Sequence, residues 1–232
     1  MNIKIVLILV FINFIYINIP SQCEEFILDF QIRILKNSQY ILTDGEIYFD
    51  VNSSKLVTHF KNPQSIFVFT DKDGNYKYYE PESNSLLLKE SIEYSSKNSF
   101  LYYFFNGKTQ TLGIDANKSE LKSSTIEDGM QINTWVPKIK NSSGISKIEI
   151  VYENHLPIFK GEFNKGEITS KTFYAHFELI CGYPIPHLIT EILFNSDSDS
   201  IITEKKYFNI QYDSEKLSSL KNFKIPLNAK VN

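Results

Sequence analysis

From Glu25 onward the chain is written in a two-residue rhythm. Phe26, Leu28, Phe30, Ile32 and Ile34 alternate with Ile27, Asp29, Gln31 and Arg33, the period of a strand with one buried face. After Asp44-Gly45, the residues Ile47, Phe49 and Val51 alternate with Glu46, Tyr48 and Asp50, which predicts a second strand paired with the first. The pattern continues through Leu56 to Phe60, breaks at Asn62-Pro63, resumes from Ser65 to Thr70 across Val68, turns at Asp71 to Gly74, and runs on through Tyr76 to Glu80. A turn at Pro81 to Asn84 then leads into Leu86 to Leu88. Short strands at regular spacing with turn residues between them predict an antiparallel meander closing toward a sandwich or barrel.

The rhythm fails from Asn98 to Phe105. Phe100, Leu101, Tyr102, Tyr103, Phe104 and Phe105 are apolar or aromatic on every side, so a short helix here, capped by Ser99 and stopped by Asn106-Gly107, must be covered on most of its faces. Two readings stay open: a core element, or a plug set into an apolar cavity. Ile114 to Thr125 is polar, and its pattern leaves the element open. Alternation returns with Met130, Ile132, Thr134 and Val136, and again with Ile148, Ile150 and Tyr152. Phe173, Ala175, Phe177, Leu179 and Cys181 then form one face of a strand whose other face carries Thr172, Tyr174, His176 and Glu178. Ile189 to Phe194 and Ile201 to Tyr212 flank a loop at Asn195 to Ser200 and predict a last hairpin. No repeat, linker or long charge block divides the chain.

Residues 1–23 differ in kind. Lys4 is the sole charge before Glu24, Ile5 to Ile19 is almost purely apolar, and Pro20, Ser21, Gln22 and Cys23 follow. This is the arrangement of an export signal, which divides the chain into a leader over 1–23 and one domain over 24–232. A membrane anchor is the competing reading, although spanning a bilayer takes roughly 20 apolar residues. A lipid-bearing Cys23 is a third, with Gln22 and Pro20 where such sites favour small and aliphatic residues. The protein is therefore expected to be exported, periplasmic in a bacterial host, and otherwise anchored or secreted. Cys23 and Cys181 are the two cysteines, so at most one bridge can form, and cleavage after Cys23 would leave Cys181 as a small buried hydrophobe.

Composition narrows the function classes. The 18 Phe and 14 Tyr favour strands and a large apolar core. Lys and Arg number 24 against 27 acids for a net charge of -3, and Arg33 is the single arginine. Nucleic acid is excluded as a partner, since phosphate and base recognition lean on clustered Arg and Lys. The 4 histidines, His59, His155, His176 and His187, lie at no metal-ligand spacing. No nucleophile elbow, P-loop or dinucleotide fingerprint is present. His176 and Glu178 share a strand face but lack the third group an acid-base site requires. Asp71, Asp73 and Gly74, like Asp197 and Asp199, read as turns and not as calcium loops. An enzyme, a metal site and a cofactor are not expected. Asn52, Asn117 and Asn141 each open an N-x-S sequon, which a eukaryotic host could use.

The central stretch resembles the LolA-like superfamily of lipoprotein carriers. The resemblance rests on a series: the glycine-led strand Gly45-Glu46-Ile47-Tyr48-Phe49, Asn62-Pro63, Asp73-Gly74 leading to Tyr78-Tyr79-Glu80-Pro81 and Asn84, the aromatic segment Asn98 to Gly107, and Phe223-Lys224-Ile225-Pro226. It implies a mainly β fold, a single unclosed and strongly curved antiparallel barrel with short helices as a lid over an apolar interior that accepts acyl chains. The residues then expected to line that cavity or its lid are Phe30, Ile32, Ile47, Phe49, Val68, Phe100, Leu101, Phe104, Phe105, Ile132, Ile150, Phe173 and Phe177. The implied partners are lipoprotein acyl chains or lipid, with membrane-bound donor and acceptor proteins, and the implied state is a monomer. A LolA-like sensor or protein-interaction module is the alternative. Two features depart from the family pattern. The first strand follows the leader directly, with no N-terminal helix, and the place of the family's arginine holds Asp50 or Val51.

Overall fold

The computed structural model describes residues 23–139, 144–194, 200–212 and 218–232. The leader, the Asn141 sequon and the Asp197 and Asp199 turn lie outside them. Among the described residues one sheet of 14 strands carries the fold. In chain order these are β1 (Glu25–Lys36), β2 (Gln39–Asp50), β3 (Lys55–Asn62), β4 (Ile66–Thr70), β5 (Asn75–Glu80) and β6 (Ser85–Glu90). A helical crossing containing α1 (Phe100–Phe105) leads to β7 (Ser119–Glu127), β8 (Met130–Pro137), β9 (Lys147–Glu153), β10 (Leu156–Asn164), β11 (Glu167–Ile180), β12 (Tyr183–Phe194) and β13 (Ser200–Tyr212). Helix α2 (Ser218–Lys221) and β14 (Lys230–Val231) end the chain.

The connectivity explains the shape. Strands β1 to β6 step outward as antiparallel neighbours, the helical crossing carries the chain to the far edge, and β7 to β13 step back until β13 pairs with β1. The first and last long strands thus meet in the middle of the sheet. Only β14 breaks the antiparallel pattern, pairing parallel with β6. The sheet curves without closing, leaving β14 and β7 as its edges. Register shifts at Ile27/Asp29, Asp44/Gly45, Pro157/Phe159 and Glu162/Phe163 are the bulges that let long strands bend.

Because directly paired residues share a face, the register separates two cores. The inner core gathers Phe26, Leu28, Phe30, Ile47, Phe49, Ile150, Ile185 and Ile189 around Leu101, Phe104 and Phe105 of α1. The outer core lies on the other side of β1 to β5, where Ile27, Tyr48, Val57, Phe67 and Tyr79 are covered by Leu220 of α2 and by Phe223 and Ile225. The Phe223-to-Pro226 segment singled out in the sequence is therefore an outer clasp. Phe223 stacks on Phe67 with centroids 3.8 Å apart, and Phe67 stacks in turn on His59 at 4.0 Å.

Several expectations are corrected here. Ile114 to Thr125, left open by its pattern, contains most of β7, a strand whose residues beyond the first are all exposed. Cys181 is not alone: it forms a disulfide with Cys23, a residue 5% exposed, with Cα atoms 6.0 Å apart. The bridge makes Cys23 part of the packed domain, excludes a thioether-linked lipid on its sulfur, and ties the start of β1 to the β11–β12 turn. Asp71 is a turn former as expected, its Oδ1 accepting the N–H groups of Asp73 (2.9 Å) and Asn75 (3.1 Å). Asp50 likewise accepts the Ser53 N–H at 3.0 Å. Asn52 and Asn117 stand exposed in turns.

Candidate functional site

The aromatic segment folds into α1 as its cap predicts. Ser99 Oγ accepts the Tyr102 N–H at 3.2 Å, and Gly107 takes the left-handed backbone (φ 63°) that ends the helix. A six-residue helix gains little stability by itself, so packing must hold it. Phe105 stacks on Phe26 with centroids 3.8 Å apart. Phe104 contacts Tyr174 at 5.7 Å and Phe177 at 6.2 Å, and Phe100 meets Tyr207 at 4.3 Å. Leu101, Phe104 and Phe105 are buried to 1% or less. The helix occupies the concavity of the sheet, with its apolar side chains inserted among those of the inner face.

Among the described residues, openings lie on that inner face, and two of them are neighbours. The first, of about 470 Å³, is a groove lined by Thr43, Thr58, Phe60, Pro63, Ile66, Val68, Tyr76 and Tyr78. The second, of about 260 Å³, lies beside α1 and is lined by Ile47, Leu56, Phe100, Leu101, Ile189, Tyr174, Tyr207, Glu191 and Lys205. Ile47 and Thr58, one from each lining, are direct cross-strand partners, so the openings are neighbours. The first is mostly apolar, with Asn62, Gln64 and the two threonines as its polar members. The second holds an ion pair, Lys205 Nζ donating to Glu191 Oε1 at 2.7 Å. Burial, with a smaller contribution from the Glu191 carboxylate, pushes the Tyr207 and Tyr174 hydroxyls well above their usual ionisation range. Both tyrosines remain neutral hydrogen-bonding groups at any physiological pH.

The register sorts the expected lining residues. Phe30, Ile32, Ile47 and Phe49 share the inner face of β1 and β2, Val68 faces the larger groove, and Ile150 and Phe177 pack with Phe100, Leu101, Phe104 and Phe105. Ile132 and Phe173 do not join them. Asn133 and Trp135 pair with the inner-face residues Ile150 and Ile148, which turns Ile132 and its partner Val151 to the outer side. Phe173 pairs with Phe159 and is 40% exposed on that side. The expected face of β11 fails because His176 adopts a left-handed backbone (φ 56°). Tyr174 and Phe177, three residues apart, consequently both reach Phe104. Glu178 is not matched with His176 either, its Oε2 lying 2.9 Å from His187 Nε2.

The polar members of the second opening, Lys205, Glu191, Tyr174 and Tyr207, escape sequence reading. Lys205 and Glu191 read as ordinary solvated charges, and their juxtaposition exists only across the β12–β13 ladder. The one available signal was that Lys205 and Tyr207 alternate with Lys206 and Phe208 in a long strand. Among the described residues no group of three or more His, Cys, Asp or Glu could hold a metal ion, and no helix is long and apolar enough to cross a membrane.

No protein-family model matches this chain and no curated protein matches it. Solved structures do. A DUF1329 family protein from Desulfovibrio piger superposes with a TM-score of 0.57 at 14% identity, over 84% of this chain and 88% of that one. A LolA superfamily protein from Nitrosomonas europaea gives 0.56 at 10% identity, over 88% and 93%. A domain assigned to outer membrane lipoprotein sorting, from Vibrio parahaemolyticus, gives 0.56 at 15% identity, over 86% and 90%. At such identities the likeness is one of architecture, and the architecture of this chain is the LolA-like fold.

Proposed function

We propose that this protein is an extracytoplasmic carrier or chaperone that binds acyl chains of lipoproteins or other lipids on its inner face and performs no bond chemistry. The observation that carries this reading is the larger inner groove, about 470 Å³ with a mostly apolar lining, set in a LolA-like sheet whose concavity also holds α1. Each lipid CH₂ removed from water contributes about 0.8 kcal/mol, so an apolar groove holds a chain without polar contacts along its length. The Cys23–Cys181 bridge supports export, because such bridges persist in oxidising compartments. A periplasmic setting, exchange with membrane-bound donor and acceptor proteins, a monomeric state and the absence of nucleic acid or cofactor complete the proposal. Mass spectrometry of lipid extracted from protein purified from its own compartment tests it. Stoichiometric acyl chains are expected, and a lipid-free protein that also fails to take up added lipid would remove the carrier.

One observation favours a second reading, that of an interaction module. The tip of the β1–β2 hairpin exposes Leu35, Tyr40, Ile41 and Leu42, at 38%, 68%, 59% and 43%, and such a patch suits contact with another protein. A lipid-free protein that still captures a defined partner through this tip would favour it.

A further inference from the structure

The smaller inner opening contains polar groups that acyl-chain burial leaves unused. Tyr207 is 5% exposed, lines the opening beside Phe100, and its hydroxyl hydrogen-bonds to no described residue. Tyr174, on the same lining, is half-buried, and no hydrogen bond ties its hydroxyl to a described residue. Neither hydroxyl is among the buried polar atoms left without a partner, so each stays accessible from the opening and can donate to a molecule seated there.

What that molecule is follows from the balance of donors and acceptors. Lys205 has three N–H donors and gives one to Glu191, and each tyrosine adds an O–H. The register holds these groups together: Ile189 pairs with Tyr174 on one side and Lys205 on the other, and Tyr207 follows two residues after Lys205 on the same face. One carboxylate therefore faces an excess of donors. The complement is an oxygen acceptor, and Lys205 favours one that is negatively charged.

Resting on the carrier reading above, we propose that Tyr174, Lys205 and Tyr207 form a head site for the carbonyl or carboxylate oxygens at the end of an acyl chain. The register also supplies the path of the tail. Ile32 pairs with Lys205 on one side and with Thr43 on the other, and Thr43 lines the larger apolar groove. A chain whose head rests against Lys205 and Tyr207 crosses Ile32 and lies along Phe60, Ile66 and Val68. This site reads the chemistry of the head, whereas the groove reads only apolar length. A bare hydrocarbon would cover the Lys205–Glu191 pair with nothing to offset its lost hydration, so the site selects against headless ligands as well.

The test is calorimetric titration of the full-length exported protein with four ligands of equal chain length: laurate, lauryl alcohol, lauryltrimethylammonium and a lauroylated cysteine peptide. Laurate or the lauroylated peptide should bind about tenfold or more tightly than the ammonium amphiphile, the usual scale of charge-assisted hydrogen bonds. Whichever of the two binds more tightly identifies a free carboxylate or an acyl carbonyl as the source of the oxygen. Tyr207→Phe, which keeps the ring against Phe100, should remove most of that preference and leave lauryltrimethylammonium unchanged. Lys205→Met should do the same for laurate, while the melting temperature of both variants stays near that of the parent. Equal binding of all four ligands, or an unaltered preference in Tyr207→Phe, overturns the head site and leaves the carrier standing. Binding of none of them overturns both.

Discussion

The ring of Phe30 lies across Gly45, its direct partner on the neighbouring strand, at a distance that admits no side chain there. A Cβ built on Gly45 would stand 2.9 Å from two atoms of the Phe30 ring and 2.0 Å from the carbonyl oxygen of His59. Gly45 also sits at the register shift between β2 and β3, where the sheet bends. An aromatic ring laid over a strand glycine is a known way to restore the packing that glycine forfeits.

Gly45→Ala is therefore expected to destabilise the domain by about 2–3 kcal/mol, the scale of overpacking. The His59 carbonyl is backbone and cannot turn aside. Urea unfolding measures the effect, and an unchanged midpoint would mean that the bend is held by other contacts.

Phe104 has no exposed surface and touches two rings of β11, Tyr174 and Phe177. Phe104→Ala should cost about 3–5 kcal/mol, as for other deleted buried aromatics, and Phe104→Glu should fail to fold. If α1 instead behaves as a detachable lid, Phe104→Glu will keep its melting temperature and lose only lipid binding. Thermal unfolding run beside a fatty-acid displacement assay separates the two.

The Cys23–Cys181 bridge joins residues 158 apart in sequence. Cys181→Ser is expected to lose about 2–5 kcal/mol, the range for a native bridge removed from an exported domain. If residues 1–22 are removed on export as proposed, the same bridge requires the cut to fall before Cys23. Intact mass of the exported protein should include Cys23, with no free thiol after denaturation. A mature chain beginning at Glu24 would contradict both statements.

His59 lies against the Phe67 ring, within reach of Ser65 Oγ at 3.1 Å. Burial first, and the Lys61 ammonium second, hold its ionisation below the ordinary histidine range, with Glu46 opposing. The folded state thus prefers neutral imidazole, so the contribution of His59 to stability is complete above about pH 6.5 and is lost as the pH falls from there toward the lower folded value. Urea midpoints measured across that window should decline in the parent and decline less in His59→Gln. Parallel profiles would assign the acid sensitivity to other groups.

Much of this architecture is legible in the residues. Strands β1 to β5 follow directly from alternation and from turn residues such as Asp71 and Gly74, and the cap at Ser99 locates α1. The failures have physical causes. Strand β7 shows no buried face, so nothing in Glu120 to Glu127 reports that it pairs at all. Strand β10 is interrupted by Pro157 and a bulge. Ile132 and Phe173 sit in correctly recognised alternating runs, but alternation does not say which face looks inward, and register decides that. Tyr174 was lost to the left-handed turn of the backbone at His176, which no local pattern announces. Lys205 and Glu191 are meaningful only as cross-strand neighbours.

The two free margins of the sheet are unlike. At one, the parallel strand β14 covers β6, and the Asn232 N–H reaches the Leu86 carbonyl at 3.0 Å. At the other, β7 offers an unpaired row of backbone donors and acceptors between Ile126, at 78% exposure, and Leu121, at 47%. Indefinite stacking of copies needs two complementary open margins on each molecule. Strand β14 pairs with Ser85 and Leu86 alone, so it blunts that margin in part, while two copies meeting edge to edge through β7 would form a symmetric contact that uses up both open rows.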